Sequence, residues 1–251
     1  MVLSAMTLET VAPLRDLSFP SVACVYDPLD YAWDVHRQYL DRYGRGRRHV
    51  LMVGMNPGPY GMVQTGVPFG EVEAVRSGLQ LQGEVRSPQR VHPKRPVLGF
   101  ACGRTEVSGR RMWRWAAHRY VTPVRFFRHF FIHNYCPLAF VADSGANVTP
   151  DKLPADERAR LFPICDRLLL RTVAATQPRW ILGIGAFAEE RVRRIIEAAP
   201  AESRRELPED LQFGRIPHPS PASPAANRGW EPLVDQAMAD LGLNTGGVAA
   251  H

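Results

Sequence analysis

Along Pro28 to Tyr43, apolar and aromatic residues recur at helical spacing through Leu29, Ala32, Trp33, His36, Tyr39 and Leu40. The pattern stops at a glycine-arginine turn, which predicts a helix of about four turns. Immediately downstream, His49 to Val53 is a continuous apolar run halted by Gly54, as in a buried strand that feeds a loop. Phe130 to Asn134 and Trp180 to Ile184 have the same form, and a weaker strand, Gln212 to Ile216, leads straight into His218. Helical patterns occupy Ala155 to Thr176 and Ala186 to Ala199. A final helix starts with Glu231-Pro232 in its first turn and ends at Gly242 after Leu241. Strands alternating with helices predict an α/β fold with a mainly parallel sheet covered on both faces.

In such sheets ligands sit beyond the carboxyl ends of the strands. Three of the predicted strands deliver polar, loop-forming sequence there: Gly54 to Gly70, Asn134 to Leu138, and His218 to Trp230. The first of these loops holds five glycines and three prolines in 17 residues, a rigid segment that exposes backbone to close approach. Asn56 reads either as a turn residue before Pro57 or as an uncharged amide that orients a water. His218 reads either as a loop histidine or as a catalytic one. A fourth strand end, Gly183-Ile184-Gly185, has Ala188 in the third glycine position of a dinucleotide fingerprint and no clear ribose-binding acid, so a tight strand-to-helix turn is expected.

Composition narrows the class. Of the 251 residues 45% are hydrophobic and 22% charged, which excludes disorder and collagen. The chain has no run of about 18 apolar residues and no basic start followed by an apolar stretch, so a cytoplasmic, bacterial-type chain without membrane contact is expected. Residues 18–243 read as one domain, with 1–17 as a poorly ordered extension and 244–251 as a frayed tail. Cys24, Cys102, Cys136 and Cys165 form no C-x-x-C pair, so buried free thiols are expected rather than a metal site, although a cluster assembled from distant loops stays open. Arginine outnumbers lysine 29 to 2, leaving Lys94, Lys152 and the terminal amine as Schiff-base candidates. Between Arg76 and Asn134 the net charge is +10, against +6 for the whole chain. Phe100, Trp113, Trp115, Tyr120, Phe126, Phe127, Phe130 and Phe131 are interleaved with those cations. Most of the aromatics are expected in the core, and the charge suits either a phosphate chain or a solvated face.

The segment Gly54 to Val72, the Phe-Ile-His-Asn-Tyr-Cys-Pro-Leu run ending at Leu138, and His218-Pro-Ser-Pro-Ala-Ser-Pro-Ala-Ala-Asn-Arg-Gly-Trp230 together closely resemble the single-strand-selective monofunctional uracil-DNA glycosylases. The likeness continues through His92-Pro-Lys-Arg-Pro-Val-Leu-Gly, Glu106-Val-Ser-Gly and Ser144 to Pro150, and spans residues 20 to 243 in order. It implies a three-layer α/β/α domain with a central, mainly parallel four-stranded sheet. It also implies hydrolysis of the bond between uracil and deoxyribose, without cofactor or metal, by a monomer acting on single-stranded and double-stranded DNA.

By the same resemblance Asn56 holds the attacking water and His218 donates to the departing uracil. Asn134 reads the polar edge of the base, Phe69 stacks on the ring, and Met55 and Gly58 line the pocket. Gly58 stands where a uracil-only relative carries a bulky tyrosine, which predicts space for substituents at uracil C5, as in 5-hydroxymethyluracil. Tyr60 and Tyr135 stand where relatives often have Phe and Leu. Pro219, Ser220, Pro221, Ala222 and Ser223 form a wedge loop on the DNA, with Arg228 as a phosphate contact. Relatives commonly carry an arginine where this chain has Ala222, so a stronger preference for single strands is expected. Neither lysine lies in the three loops, so an intact abasic site is the expected product. Two other readings stand beside this one: a glycosylase of deaminated purines (xanthine, hypoxanthine) on the same fold, and a noncatalytic sensor of damaged or single-stranded DNA.

Overall fold

The computed structural model describes residues 3–243. In chain order they form α1 (Leu3–Val11), β1 (Cys24–Tyr26), α2 (Pro28–Tyr31), α3 (Trp33–Tyr43), β2 (Val50–Gly54), α4 (Met62–Thr65), α5 (Val107–Tyr120), α6 (Pro123–His129) and β3 (Phe130–Asn134). There follow β4 (Ala139–Val141), β5 (Asn147–Val148), α7 (Ala155–Thr176), β6 (Trp180–Ile184), α8 (Ala186–Glu197), α9 (Ala201–Arg204), β7 (Gln212–Ile216), α10 (Pro224–Arg228) and α11 (Trp230–Asp240). Four strands make a wholly parallel sheet in the order β3-β2-β6-β7. Every residue of β2 and β3 is buried, as an apolar run in a sheet covered on both faces requires. Helix α8 packs on β6 and β7 and against α7, while α11 packs on β7 and against α5, completing a three-layer α/β/α arrangement.

Three features depart from the sequence reading. The single helix expected over 28–43 is broken at Ala32 (φ −112°, ψ 23°) into α2 and α3. The chain after β2 docks at that break: Tyr31 donates from its hydroxyl to the Val63 carbonyl (2.7 Å), and His36 Nδ1–H to the Gly66 carbonyl (2.7 Å). A second, antiparallel sheet, β1-β4-β5, was not predicted, because strands of two or three residues are too short to show a period. The expected poorly ordered extension is also corrected. Residues 3–11 are helical, and Leu3, Ser4, Met6, Thr7, Thr10 and Val11 form a buried stripe against α3 and α7. Three of the six are serine or threonine, so a hydropathy pattern shows only a fragment of that face. Arg171 closes the contact, donating to Thr10 Oγ1 (2.8 Å) and Glu9 Oε2 (2.9 Å). The frayed tail expected at 244–251 lies outside the described residues.

All four cysteines are buried free thiols. Seven of the eight aromatics singled out in the basic stretch are core residues, and Phe100 is half-buried. Among the described residues no helix is long and apolar enough to cross a membrane.

Burial holds His36 down to about 4 and His133 down to about 3, so both stay neutral in the fold, while the unfolded chain protonates them near 6.5. Below about pH 6.5 the unfolded state binds more protons, and stability falls. Asp27, pushed up to about 6 by burial, acts the other way below pH 6, because the fold takes up its proton first. His129 and His218, also lowered by burial, act with His36 and His133, and Glu106, raised by burial, acts with Asp27; the histidines prevail, and the Tm in thermal melts should decline from pH 7 to pH 5. The decline should be shallower in His133→Leu.

Candidate active site

The chain order of the sheet reverses between β2 and β6, and the crevice at that switch point lies beyond their carboxyl ends. The β2 and β3 ladder runs past the strands into both loops: Tyr135 N–H donates to the Gly54 carbonyl and Cys136 N–H to the Met55 carbonyl, each at 2.9 Å. Asn56 follows directly, half-buried, its Nδ2 donating to the Leu138 carbonyl at 3.4 Å. The first and second predicted loops are therefore fastened to each other at Asn56.

Asn134 ends β3 and is 4% exposed. Its Nδ2 donates to the thioether of Met62 (3.3 Å), a weak acceptor, and its Oδ1 is buried with no hydrogen-bond partner. A buried polar atom left unpaired costs about 1–3 kcal/mol, which a ligand that donates a hydrogen bond to Oδ1 would recover. Gly54 lets the pocket close round this amide: a Cβ there would stand 2.5 Å from Asn134 Oδ1 and 2.7 Å from the Phe69 ring. Phe69 itself adopts φ +54°, a strained backbone for an aromatic residue. Its carbonyl is held by Trp113 Nε1 (3.0 Å) and Glu71 N–H (2.8 Å), which fixes the strained turn.

His218 follows β7. Its ring centroid lies 6.2 Å from that of Phe69, and a Cβ on Gly185, at the end of β6, would touch its Cβ at 3.4 Å. Gly185 has φ +90°, the tight strand-to-helix turn expected there. Ser220 N–H donates to His218 Nδ1 (3.1 Å), which places the ring proton on Nε2, and burial lowers the imidazole's pKa. The result is a neutral ring offering one N–H donor. Past it, Pro219 is buried, Ser220 and Ser223 are half-buried, and Pro221, Ala222 and Arg228 are exposed. Ser223 Oγ caps α10 by accepting from Ala226 N–H (3.3 Å).

Gly58 requires a correction. The room expected there is occupied, because a Cβ on Gly58 would stand 2.6 Å from Glu106 Oε2. Glu106 precedes α5, accepts from Tyr60 N–H (3.3 Å), and lies beneath Gly61 as well, where a Cβ would meet its Cγ at 2.9 Å. Burial pushes its carboxyl pKa up. Sequence reasoning gave Glu106 no role, although it is one of only two acids between Arg76 and Asn134. The guanidinium groups of Arg95 (5.2 Å) and Arg104 (4.3 Å) both lie within cation–π range of the neighbouring Tyr60 ring. Tyr135 differs, its hydroxyl donating to Asp166 (2.8 Å) and accepting from Arg191 (3.0 Å).

The cations of the basic stretch are in good part committed to the protein. Arg86 pairs with Asp30, Arg110 with Glu71, Arg114 with Glu231 and Arg119 with Asp235, while Arg76 and Arg95 donate to the Phe100 and Gly145 carbonyls. The four carboxylate partners offset part of the local charge excess.

Residues 42–242 match the family described as the uracil DNA glycosylase superfamily. The chain is 48% identical over 237 residues to the single-strand selective monofunctional uracil-DNA glycosylase of Rattus norvegicus, covering 94% of this chain and 82% of that protein. It is 48% identical over 231 residues to the counterpart in Bos taurus, covering 92% and 82%. Among solved structures, that of SMUG2 from Pedobacter heparinus matches with a TM-score of 0.61 at 14% identity, over 96% of this chain and 97% of that one, a likeness of fold.

Helix α5 presses on the pocket through Gly109, where a Cβ would stand 2.1 Å from the Phe69 carbonyl oxygen. Both sides of that contact are backbone and neither can swing away. Gly109→Ala should therefore lower unfolding free energy by about 1–3 kcal/mol in urea titrations. Gly78→Ala, with nothing within 4 Å of the added atom, should stay within about 0.5 kcal/mol.

Proposed function

The chain belongs to the uracil DNA glycosylase superfamily, and from that membership and the pocket geometry we propose a monofunctional enzyme that hydrolyses the bond joining uracil to deoxyribose in DNA. The observation that carries the reading is the buried, partnerless Oδ1 of Asn134 beside the Phe69 ring. A uracil stacked on Phe69 donates its ring N–H to that oxygen and accepts from Nδ2 at the adjacent carbonyl, in place of the weak thioether contact. Cytosine presents the reverse pattern and leaves both groups unpaired, so it is rejected.

The base leaves with the electron pair of the broken bond, and negative charge gathers on its carbonyl oxygens. The Nε2–H of His218 stabilises that charge more than it stabilises the bound base, which lowers the barrier. With Asn56 Nδ2 engaged by Leu138, its Oδ1 is the acceptor that orients a water towards the sugar carbon. An amide does not remove the water's proton. It suits a reaction in which the sugar is already cation-like, and the proton passes to solvent water after the new C–O bond has formed.

Substrate breadth follows from Glu106 rather than from empty space at Gly58. A carboxyl wall accepts a hydrogen bond from a hydroxyl-bearing C5 substituent, so 5-hydroxymethyluracil is read as a second substrate. Strand cleavage is not expected, since Lys94 donates to the Ser144 carbonyl, Lys152 pairs with Asp151, and neither belongs to the three loops. The exposed Ala222 has no side chain to fill the gap left by a flipped base, which favours substrate already single-stranded.

Incubated with a single-stranded oligonucleotide carrying one uracil, the protein should give strand breaks only after alkali. Asn56→Ala or His218→Ala should each slow single-turnover base release by about 10²–10³-fold. Full activity in Asn56→Ala would remove its assignment. Ala222→Arg should raise the duplex rate relative to the single-strand rate, and an unchanged ratio would show that the wedge position does not set strand preference.

A further inference from the structure

Arg111 sits on α5 among the cations of the basic stretch, yet its guanidinium is turned inward to the His218 loop. Nη1 donates to the carbonyls of Pro219 (3.1 Å) and Ser220 (3.2 Å), and Nη2 donates to Asn227 Oδ1 (2.7 Å). Asn227 Nδ2 in turn donates to the Pro221 carbonyl (2.8 Å). One side chain thus ties the first residues of the loop to α10, and it does so with a planar fork that a lysine cannot reproduce.

The peptide joining Pro219 to Ser220 is engaged at both ends. Its carbonyl faces Arg111, and its N–H, on the opposite side of the trans unit, is the donor to His218 Nδ1. A positive charge on the carbonyl polarises the peptide and strengthens its N–H as a donor. That N–H is what holds the imidazole in place with its proton on Nε2.

We infer that Arg111 is a positioning residue for His218, acting through the Pro219–Ser220 peptide. The inference rests on the reading of His218 as the donor to the leaving base. It assigns Arg111 to the machinery of the reaction rather than to contacts with DNA phosphates.

The test is a double-mutant cycle on single-turnover base release from single-stranded oligonucleotides bearing uracil or 5-fluorouracil. Arg111→Ala should slow uracil release about 10–100-fold in the wild-type background and less than about threefold when His218→Ala is already present, because groups acting as a unit are not additive. Both losses should shrink on 5-fluorouracil, whose anion is more stable and needs less help; a merely structural loss would not follow the leaving group. Arg111→Lys should fall between wild type and Arg111→Ala. DNA affinity and its salt dependence should be unchanged. Equal losses in the two backgrounds would overturn the inference. So would a loss confined to affinity with a shallower salt slope, which would mark a phosphate contact. If melting shows Arg111→Ala unfolded, Arg111→Lys and Asn227→Ala enter the same cycle. Wild-type protein that releases no uracil overturns the functional reading and this inference together, whereas wild-type release with additive losses overturns this inference alone.

Discussion

Gly54 pairs with Asn134 in the parallel ladder, and two further backbone bonds carry the same register beyond the strands, from Tyr135 to Gly54 and from Cys136 to Met55. Side chains alternate between faces along a strand, so a slip of one residue would turn Asn134 out of the pocket and put His133 in its place. The same ladder sets Asn56 against Leu138. Burial of all ten residues in the two strands makes the register costly to change, since every apolar side chain would change faces with it. Asn134 and Asn56, the side chains proposed to read the base and to seat the water, therefore share one hydrogen-bonded frame.

What the ladder does not fix, the start of α5 does. Glu106 holds the turn at Gly58 to Gly61, Gly109 and Trp113 hold the Phe69 carbonyl, and Arg111 holds the loop after His218. Six residues, 106 to 111, thus touch the first and third of the three loops. The contacts work by close approach: two glycines let a carboxyl lie against backbone, and a third lets a helix lie against a carbonyl. Phe69 stays at φ +54° because these neighbours over-determine it. For the stacking role proposed for Phe69, strain held by packing is a form of preorganisation, since the ring need not be ordered when a base arrives.

The sheet was open to reading because three of its strands are largely apolar runs that stop at glycine or asparagine and the weaker fourth leads into a histidine-proline turn, and three of the four predicted ranges agree with the observed strands to the residue. The fourth is displaced by one, ending at Gly54 rather than Val53. Convergence of the three loops followed from the rule for parallel sheets alone. Glu106 and Arg111 were hidden for a common reason: each acts on backbone atoms of a segment distant in sequence, and backbone partners leave no trace in residue identity. Gly58 misled for a related reason, since a glycine announces space without saying what fills it. Helix α1 was missed because serine and threonine serve as small interior residues there.

Charge explains why the three side chains proposed to act on the base and the water are neutral. The reaction separates a cation-like sugar from an anionic base beside a polyanionic strand, so a fixed protein charge that helps one partner hinders another. A protonated histidine would stabilise the leaving base but would have to be buried as a cation, at a desolvation cost that grows with burial. In the proposed mechanism His218 meets the base as a neutral imidazole instead, with the ordered Ser220 N–H dipole behind its Nδ1. Asn56 and Asn134 follow the same logic, each an oriented amide dipole with no proton to gain or lose near neutral pH. Such groups need little rearrangement as charge develops, provided their directions are already set. The β2–β3 register and the α5 contacts set those directions, which is why so much of this fold is spent on holding three uncharged side chains still.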